Sequence, residues 1–405
     1  MLKKKKEESV KLNLIEYLLI LVLAYSIAPI VSRVISDVLT TYFYMLVVVA
    51  LTALVLLSKG NKSVNDCLVL LFPFICWKGM TFLLPKASLI LWAYGALLDM
   101  IPLLVGYYLI NNVSDKKILF FAKYIFAVFA ITATTTFIGS IIYPDAARYL
   151  ATVADANDAM AVKYYWRNIG GYEFVYSIVL LHPLIILAHK QGKIKRWTSF
   201  AMSILIIFLS INSGYTIAFL LSIICCFLYL FKKTMRSKQM MIWLVSVVLM
   251  IIIFYTIISK ILLFLADLVD NDMISLRLRA LAGGVEGVEN SEDNRILLYE
   301  TSLNTFFKYP LFGSFMHGGG GVGHHSFILD FLAQFGLCGL VILVFMYRAI
   351  YIRFFKPYYE KAGYGYIVWA FIQAMFLSSV NTGSWFTILA VFIPIFLRVI
   401  YREKP

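Results

Sequence analysis

Long apolar runs separated by short polar stretches dominate the 405-residue chain. A helix satisfies its own backbone in hydrocarbon, and roughly 20 consecutive apolar residues carry it across a bilayer. By that criterion the pattern predicts about twelve spans, at residues 12–32, 38–57, 64–84, 88–110, 118–142, 172–188, 196–212, 214–231, 240–266, 325–347, 364–382 and 385–401. The boundaries are weakest around Ser210–Thr216 and around Asn381–Trp385. The expected fold is an all-α polytopic membrane protein, with residues 1–405 forming a single integral membrane domain. Two breaks are much longer than the rest, residues 143–171 and 267–324.

Composition agrees: 61% of residues are hydrophobic, 14% are charged, and the mean hydropathy is +0.84, outside the range of a soluble domain. The net charge of +14 reads first as a topology signal. Basic clusters stand at Lys3–Glu8, Ser58–Ser63, Ser114–Lys117, His189–Arg196, Lys232–Lys238, Arg348–Lys361 and Arg402–Lys404, each at an alternate break. This places both termini in the cytoplasm and the two long loops outside, and it leaves no need for nucleic acid as a partner. The five cysteines, Cys67, Cys76, Cys225, Cys226 and Cys338, lie in predicted spans without C-x-x-C spacing and read as packing residues. No small-residue cleavage pattern follows the basic N-terminus, so the first span reads as a retained anchor.

The long loops are rich in Tyr, Trp, Arg and Gly, a composition of folded functional segments and not of disordered tails. In the second, Asp293 is placed to cap a helix and Pro310 to follow its end. Ile296, Tyr299, Leu303, Phe306 and Phe307 recur at helical spacing, forming an apolar stripe suited to a membrane surface or to the bundle, while Arg295, Ser302 and Thr305 fall on another face. A glycine run, Gly318–Gly321 and Gly323, then leads to His324 and His325 at the outer mouth of the tenth span.

Arginines and a histidine gathered at a lipid boundary suit a lipid with a phosphorylated head group. Guanidinium groups recognise phosphate in bidentate fashion and keep their charge. Arg277, Arg279 and Arg295 are the candidates in the second loop, Arg148 and Arg167 in the first, with Tyr172 and His324 as further sugar or phosphate contacts. The second loop nevertheless carries eight carboxylates against four basic residues, so surface ion pairs with Asp267, Asp270, Asp272, Glu286, Glu289 or Glu292 compete for each arginine. His325 titrates in the range needed to accept a proton from a sugar hydroxyl; the competing reading is an interfacial histidine that caps the span. Adjacent histidines rarely ligate one ion together, and Asp270–Asp272 reads as a solvated acidic turn, so neither metal nor other cofactor is expected. Tyr149, Tyr164, Tyr165 and Trp166 could stack on sugars or anchor the loop at the interface. Within the spans, Lys78, Asp99, Glu173 and His182 stand out as ionisable groups; pairing is expected for Asp99 and snorkelling for Lys78 and Glu173.

The stretch from Arg295 to Arg348 resembles the O-antigen polymerase and O-antigen ligase family of membrane glycosyltransferases of the GT-C type, which includes capsular and exopolysaccharide polymerases. The resemblance lies in Arg295 within "DNRILLYETSLNTFFKYPLFGSF", the glycine run, and "HHSFILDFLAQFGLCGL" with its Gly-x-x-Gly; "NIGGYEFVYSIVLLHP", Asn168 to Pro183, resembles polymerases of the same group. It implies that Arg295 and His325 are the motif Arg and His of an enzyme in the bacterial cytoplasmic membrane. Such an enzyme transfers oligosaccharide from undecaprenyl pyrophosphate outside the cell, without metal and with inversion. A chain-length regulator and a flippase are its implied partners. Ser326 departs from the family's usual Asn, and Arg148 and Arg167 do not reproduce the arginine-glycine loop motifs of some polymerases. A ligase acting on finished polymer remains an alternative from the same chemistry, and a non-enzymatic flippase of lipid-linked oligosaccharide an alternative from another class.

Overall fold

The computed structural model describes residues 12–38, 61–82, 89–152, 158–213, 215–230, 237–253, 255–268, 275, 278–279, 282, 289–323, 326–380 and 387–402. Most of these residues are helical, and none is in a strand. The helices are α1 (Leu14–Tyr25), α2 (Pro29–Val38), α3 (Asn61–Phe82), α4 (Leu89–Asn112), α5 (Asp115–Ile142), α6 (Ala146–Thr152), α7 (Ala159–Trp166) and α8 (Tyr172–Lys190), followed by α9 (Arg196–Asn212), α10 (Thr216–Phe227), α11 (Ser237–Ile253), α12 (Tyr255–Leu268), α13 (Glu289–Lys308), α14 (Phe327–Phe354), α15 (Tyr364–Val380) and α16 (Ile393–Ile400).

By length and composition, three helices among the described residues can cross a membrane: α5, α8 and residues Ile328–Phe354 of α14. Shorter apolar helices, among them α9 and α16, surround them. Large apolar side chains such as Val69, Phe72, Ile142, Val344 and Phe345 face outward, as on a surface wetted by lipid. This is the architecture of a membrane protein. α8 is its central post: 67% of its apolar window is buried, against 39% in α5 and 33% in α14, and it packs against α9, α10, α15 and α16.

Where lipid solvates apolar side chains as well as protein does, helices associate through close packing and hydrogen bonds, the latter near 0.6 kcal/mol each. Gln373 Nε2 donates to the Val179 carbonyl at 2.8 Å, Tyr366 to that of Leu228 at 3.1 Å, and His182 Nε2 lies 2.8 Å from Ser203 Oγ.

Several spans differ from the hydropathy reading. The run 12–32 does not form one straight helix; α1 and α2 meet at a bend of 116° over residues 26–28, with Pro29 opening the second helix. The run 240–266 is described as α11 and α12, on either side of residue 254, which lies outside the described residues. The run 325–347 continues to Phe354 but is interrupted at Gly336, whose φ of 63° and ψ of −157° lie outside helical space. The span at 38–57, like the Asn381–Trp385 turn, falls largely or wholly outside the described residues.

Of the basic breaks assigned to the inner side, those at 114–117, 189–196, 348–361 and 402 gather at one end of the bundle, while 3–8 and much of 58–63 and 232–238 lie outside the described residues. Lys117 Nζ reaches Glu16 at 2.7 Å, Arg398 pairs with Asp115 at 2.6 Å, and Arg353 donates to Asn111 at 2.6 Å. Lys193 donates to the Arg402 carbonyl at 2.8 Å and Gln191 to that of Ala362 at 2.6 Å. Glu16 is 2% exposed, and it also closes the capping box of α1 with Asn13, so this carboxylate is both paired and hydrogen-bonded.

Candidate functional site

The second long loop meets the bundle where α13 packs on α14. α13 begins at Glu289, about one turn before the expected cap, so Asp293 lies within the helix. It ends at Lys308, two residues before Pro310, as the stop signal predicts. The apolar stripe is not the packed face: Phe307 is 73% exposed and Leu303 36%. Ser302, on the polar face, is fully buried.

That serine is half of a polar clamp. Ser302 Oγ donates to Asp330 Oδ1 at 2.6 Å and accepts the Gly323 N–H at 2.9 Å. The other oxygen of Asp330 accepts the Ser326 N–H at 3.0 Å, and Ser326 caps α14 by accepting the Leu329 N–H. One turn along α13, Thr305 Oγ1 donates to the Gly321 carbonyl at 2.6 Å. A Cβ on Gly323 would collide with the Leu298 carbonyl, so only glycine brings this strand of chain against the helix. Gly323 and Ser326, the residues on either side of His324 and His325, are thus both held by Ser302 and Asp330. The two histidines and Arg277 lie outside the described residues. Arg295 lies in α13 seven residues before Ser302, two helical turns along the same register.

Below the clamp, the chain after α13 docks into the interruption of α14. Leu337 N–H donates to the Pro310 carbonyl at 2.8 Å and Cys338 N–H to that of Leu311 at 3.0 Å. A Cβ at Gly336 would stand 2.6 Å from the Leu311 carbonyl oxygen. The Pro-Leu-Phe-Gly turn and the Gly-x-x-Gly segment are therefore two sides of one backbone joint. On the far side of α14, Phe331 packs on Trp77 of α3 at 5.6 Å between ring centroids, and Lys78 Nζ lies 4.3 Å from the Trp77 ring. The Lys78 ammonium thus lies against an aromatic face.

The remaining candidates lie elsewhere. Arg279 pairs with Asp267, the competing arrangement the sequence had raised, so its charge is already matched. His317 is exposed and stacks on Tyr309 at 4.2 Å. In the first loop, Arg148 belongs to α6, and exposed Arg167 lies over the Tyr143 ring at 4.5 Å. Tyr172 opens α8 within an aromatic cluster, 4.5 Å from Tyr176 and 5.1 Å from Tyr215. Asn168 locks this loop down, with φ of 53°. Its amide donates to Thr132 and Thr135 at 3.1 and 3.2 Å, its Oδ1 accepts the Ile30 N–H at 3.3 Å, and Gly170 N–H donates to Thr136 at 2.8 Å. Tyr149 donates to Asp158, the cap of α7. Two backbone N–H groups and this hydroxyl hold the Asp158 carboxyl below its ordinary range, the Ala161 N–H foremost, while the same bond pushes the Tyr149 hydroxyl up.

Asp330, Ser302 and Asn168 are the site-forming residues that the motif reading passed over. An acid four residues after a Ser at the head of an apolar run was the available signal for Asp330, and the Thr-rich stretch 132–136 was that for Asn168. Compared with protein-family models, curated proteins and solved structures, the chain matches none.

Proposed function

We propose that this protein is a polytopic membrane glycosyltransferase of GT-C-like, twelve-span organisation. It polymerises undecaprenyl-pyrophosphate-linked oligosaccharide repeats on the outer face of the bacterial cytoplasmic membrane, with both termini inside. What carries the reading is the clamp of Ser302 and Asp330. It ties Gly323 and Ser326, which flank His324–His325 in the sequence, to the helix that bears Arg295. In the proposed reaction Arg295 offsets the charge that develops on the departing pyrophosphate. His325 accepts the proton of the acceptor sugar hydroxyl, whose oxygen forms the new bond to the anomeric carbon as the bond to the pyrophosphate oxygen breaks. Attack from the opposite face inverts that carbon, and undecaprenyl pyrophosphate leaves. Asp330 positions the histidine segment without touching substrate.

The test is the length distribution of surface polysaccharide in the native host, comparing the parent with His325→Ala and Arg295→Ala at matched membrane levels. Loss of long chains with single repeats still displayed is the expected result. Long chains that remain on the lipid carrier would make the enzyme a ligase, and an unchanged distribution in both variants would remove the catalytic assignment.

A further inference from the structure

A second site lies at the opposite end of the bundle, separated from the clamp by the length of α14. Between α9 and the turn Leu228–Leu230 that ends α10 is a cleft of about 240 Å³. Phe200, Ile204 and Ile207 form its apolar wall, and the first two are 49% and 51% exposed on the flank of the bundle. Its floor is polar. Ser203 bonds to His182 Nε2 at 2.8 Å and to the Tyr229 hydroxyl at 3.1 Å, and Tyr229 bonds in turn to Ser199. Arg196 stands exposed at one end of the cleft.

Among the described residues the charge around that end is unmatched by carboxylates. Lys190, Lys193, Lys195 and Arg196 form no ion pair with a carboxylate among the described residues, and no Asp or Glu occurs between Glu173 and Asp267. Lys190 and Lys193 spend a donor each on the carbonyls of Tyr229 and Arg402, at 2.7 and 2.8 Å. Arg196 has no such carbonyl among the described residues. An apolar trough open to the side and ending in an exposed guanidinium complements a molecule with a hydrocarbon tail and an anionic head. The volume is below the roughly 300 Å³ at which whole small-molecule pockets begin, so it accommodates a segment of one acyl chain, the rest lying along the open flank, and not an entire lipid.

We infer that this cleft is a binding site for an anionic glycerophospholipid, its phosphate on Arg196 and one acyl chain along Phe200, Ile204 and Ile207. The inference rests on the chain lying in a bilayer and not on its enzymatic activity. Full-length protein purified in mild detergent is examined by native mass spectrometry with phosphatidylglycerol, phosphatidylcholine or glycerol 3-phosphate added. Preferential retention of phosphatidylglycerol is expected. Arg196→Gln should weaken it about fivefold, the effect of one cation at a membrane surface, and Ile204→Trp, which fills the trough, should reduce retention of both lipids. Both substitutions are at exposed positions, so elution at the parent's volume serves as the folding control. Equal retention of the two phospholipids, phosphatidylglycerol binding unchanged in both variants, or glycerol 3-phosphate competing as well as the lipid would each overturn the site.

Discussion

The first long loop is fastened to the bundle by neutral groups: Asn168 spreads its hydrogen bonds over Thr132, Thr135 and Ile30, and Gly170 adds Thr136. In the second, beside the backbone joint at Pro310 and Leu311, one carboxylate, Asp330, holds Ser302 on one oxygen and the Ser326 N–H on the other. The neutral lock is distributed, so losing one member leaves others in place. The acidic clamp is concentrated, and its loss strands a buried hydroxyl and a backbone donor together. The concentrated joint is also the one beside the residues proposed for catalysis.

Substitutions can break or sharpen this contrast, and the largest effect is expected at the joint beneath the clamp. Gly336→Ala places a Cβ against the Leu311 carbonyl at a backbone angle that only glycine adopts readily, and should cost on the order of 3 kcal/mol or more, measured by SDS titration in mixed micelles. Asp330→Ala should follow at roughly 3 kcal/mol by the same titration, because two donors lose their acceptor. Asp330→Asn, which keeps an acceptor oxygen, should recover part of that loss; equal damage from Asn and Ala would show that charge, not acceptor geometry, holds the clamp. Asn168→Ala should cost about 2 kcal/mol, since the amide bonds go and alanine is strained at positive φ. Asn168→Gly separates the two contributions by relieving only the strain.

The smallest effect should be a pH dependence confined to the first loop. The carboxyl of Asp158 is lowered by folding, so the support it gives the α7 cap is full above its ordinary value of 3.8 and is lost as the pH falls through the lowered one. Cleavage of segment 143–171 by pepsin should therefore rise as the medium is acidified, and Asp158→Ala should show raised cleavage already at the higher end of the pepsin range. A variant with the parent's profile would leave the cap without influence on the loop.

Much of the helix pattern was legible from the chain. α9 spans the residues hydropathy assigned, α15 and α8 come within two residues, and Pro310 follows α13 as a stop signal should. The site was legible only in part. Ser302 and Thr305 were placed on a common face of their helix, with no indication of which face would be packed. Periodicity reports which side chains share a face; it does not report which face finds a partner. Here a carboxylate 28 residues further on offered a buried acceptor, and the polar face turned inward. Arg279 was paired as its acidic surroundings suggested, whereas the lock on Asn168 depends on an α5 face 33 to 36 residues away and on Ile30, 138 residues away.

The sequence by itself determined an all-helical, lipid-suited chain with basic breaks at alternate turns, because backbone satisfaction in hydrocarbon and the length of an apolar run are local properties. Only the tertiary structure decided the 116° bend between α1 and α2, the docking of Pro310 and Leu311 into the break at Gly336, and the clamp of Asp330 on Ser302 and Ser326. Each of these depends on how a donor, an acceptor or an absent Cβ meets groups that folding brings to it, and no window along the chain contains that geometry.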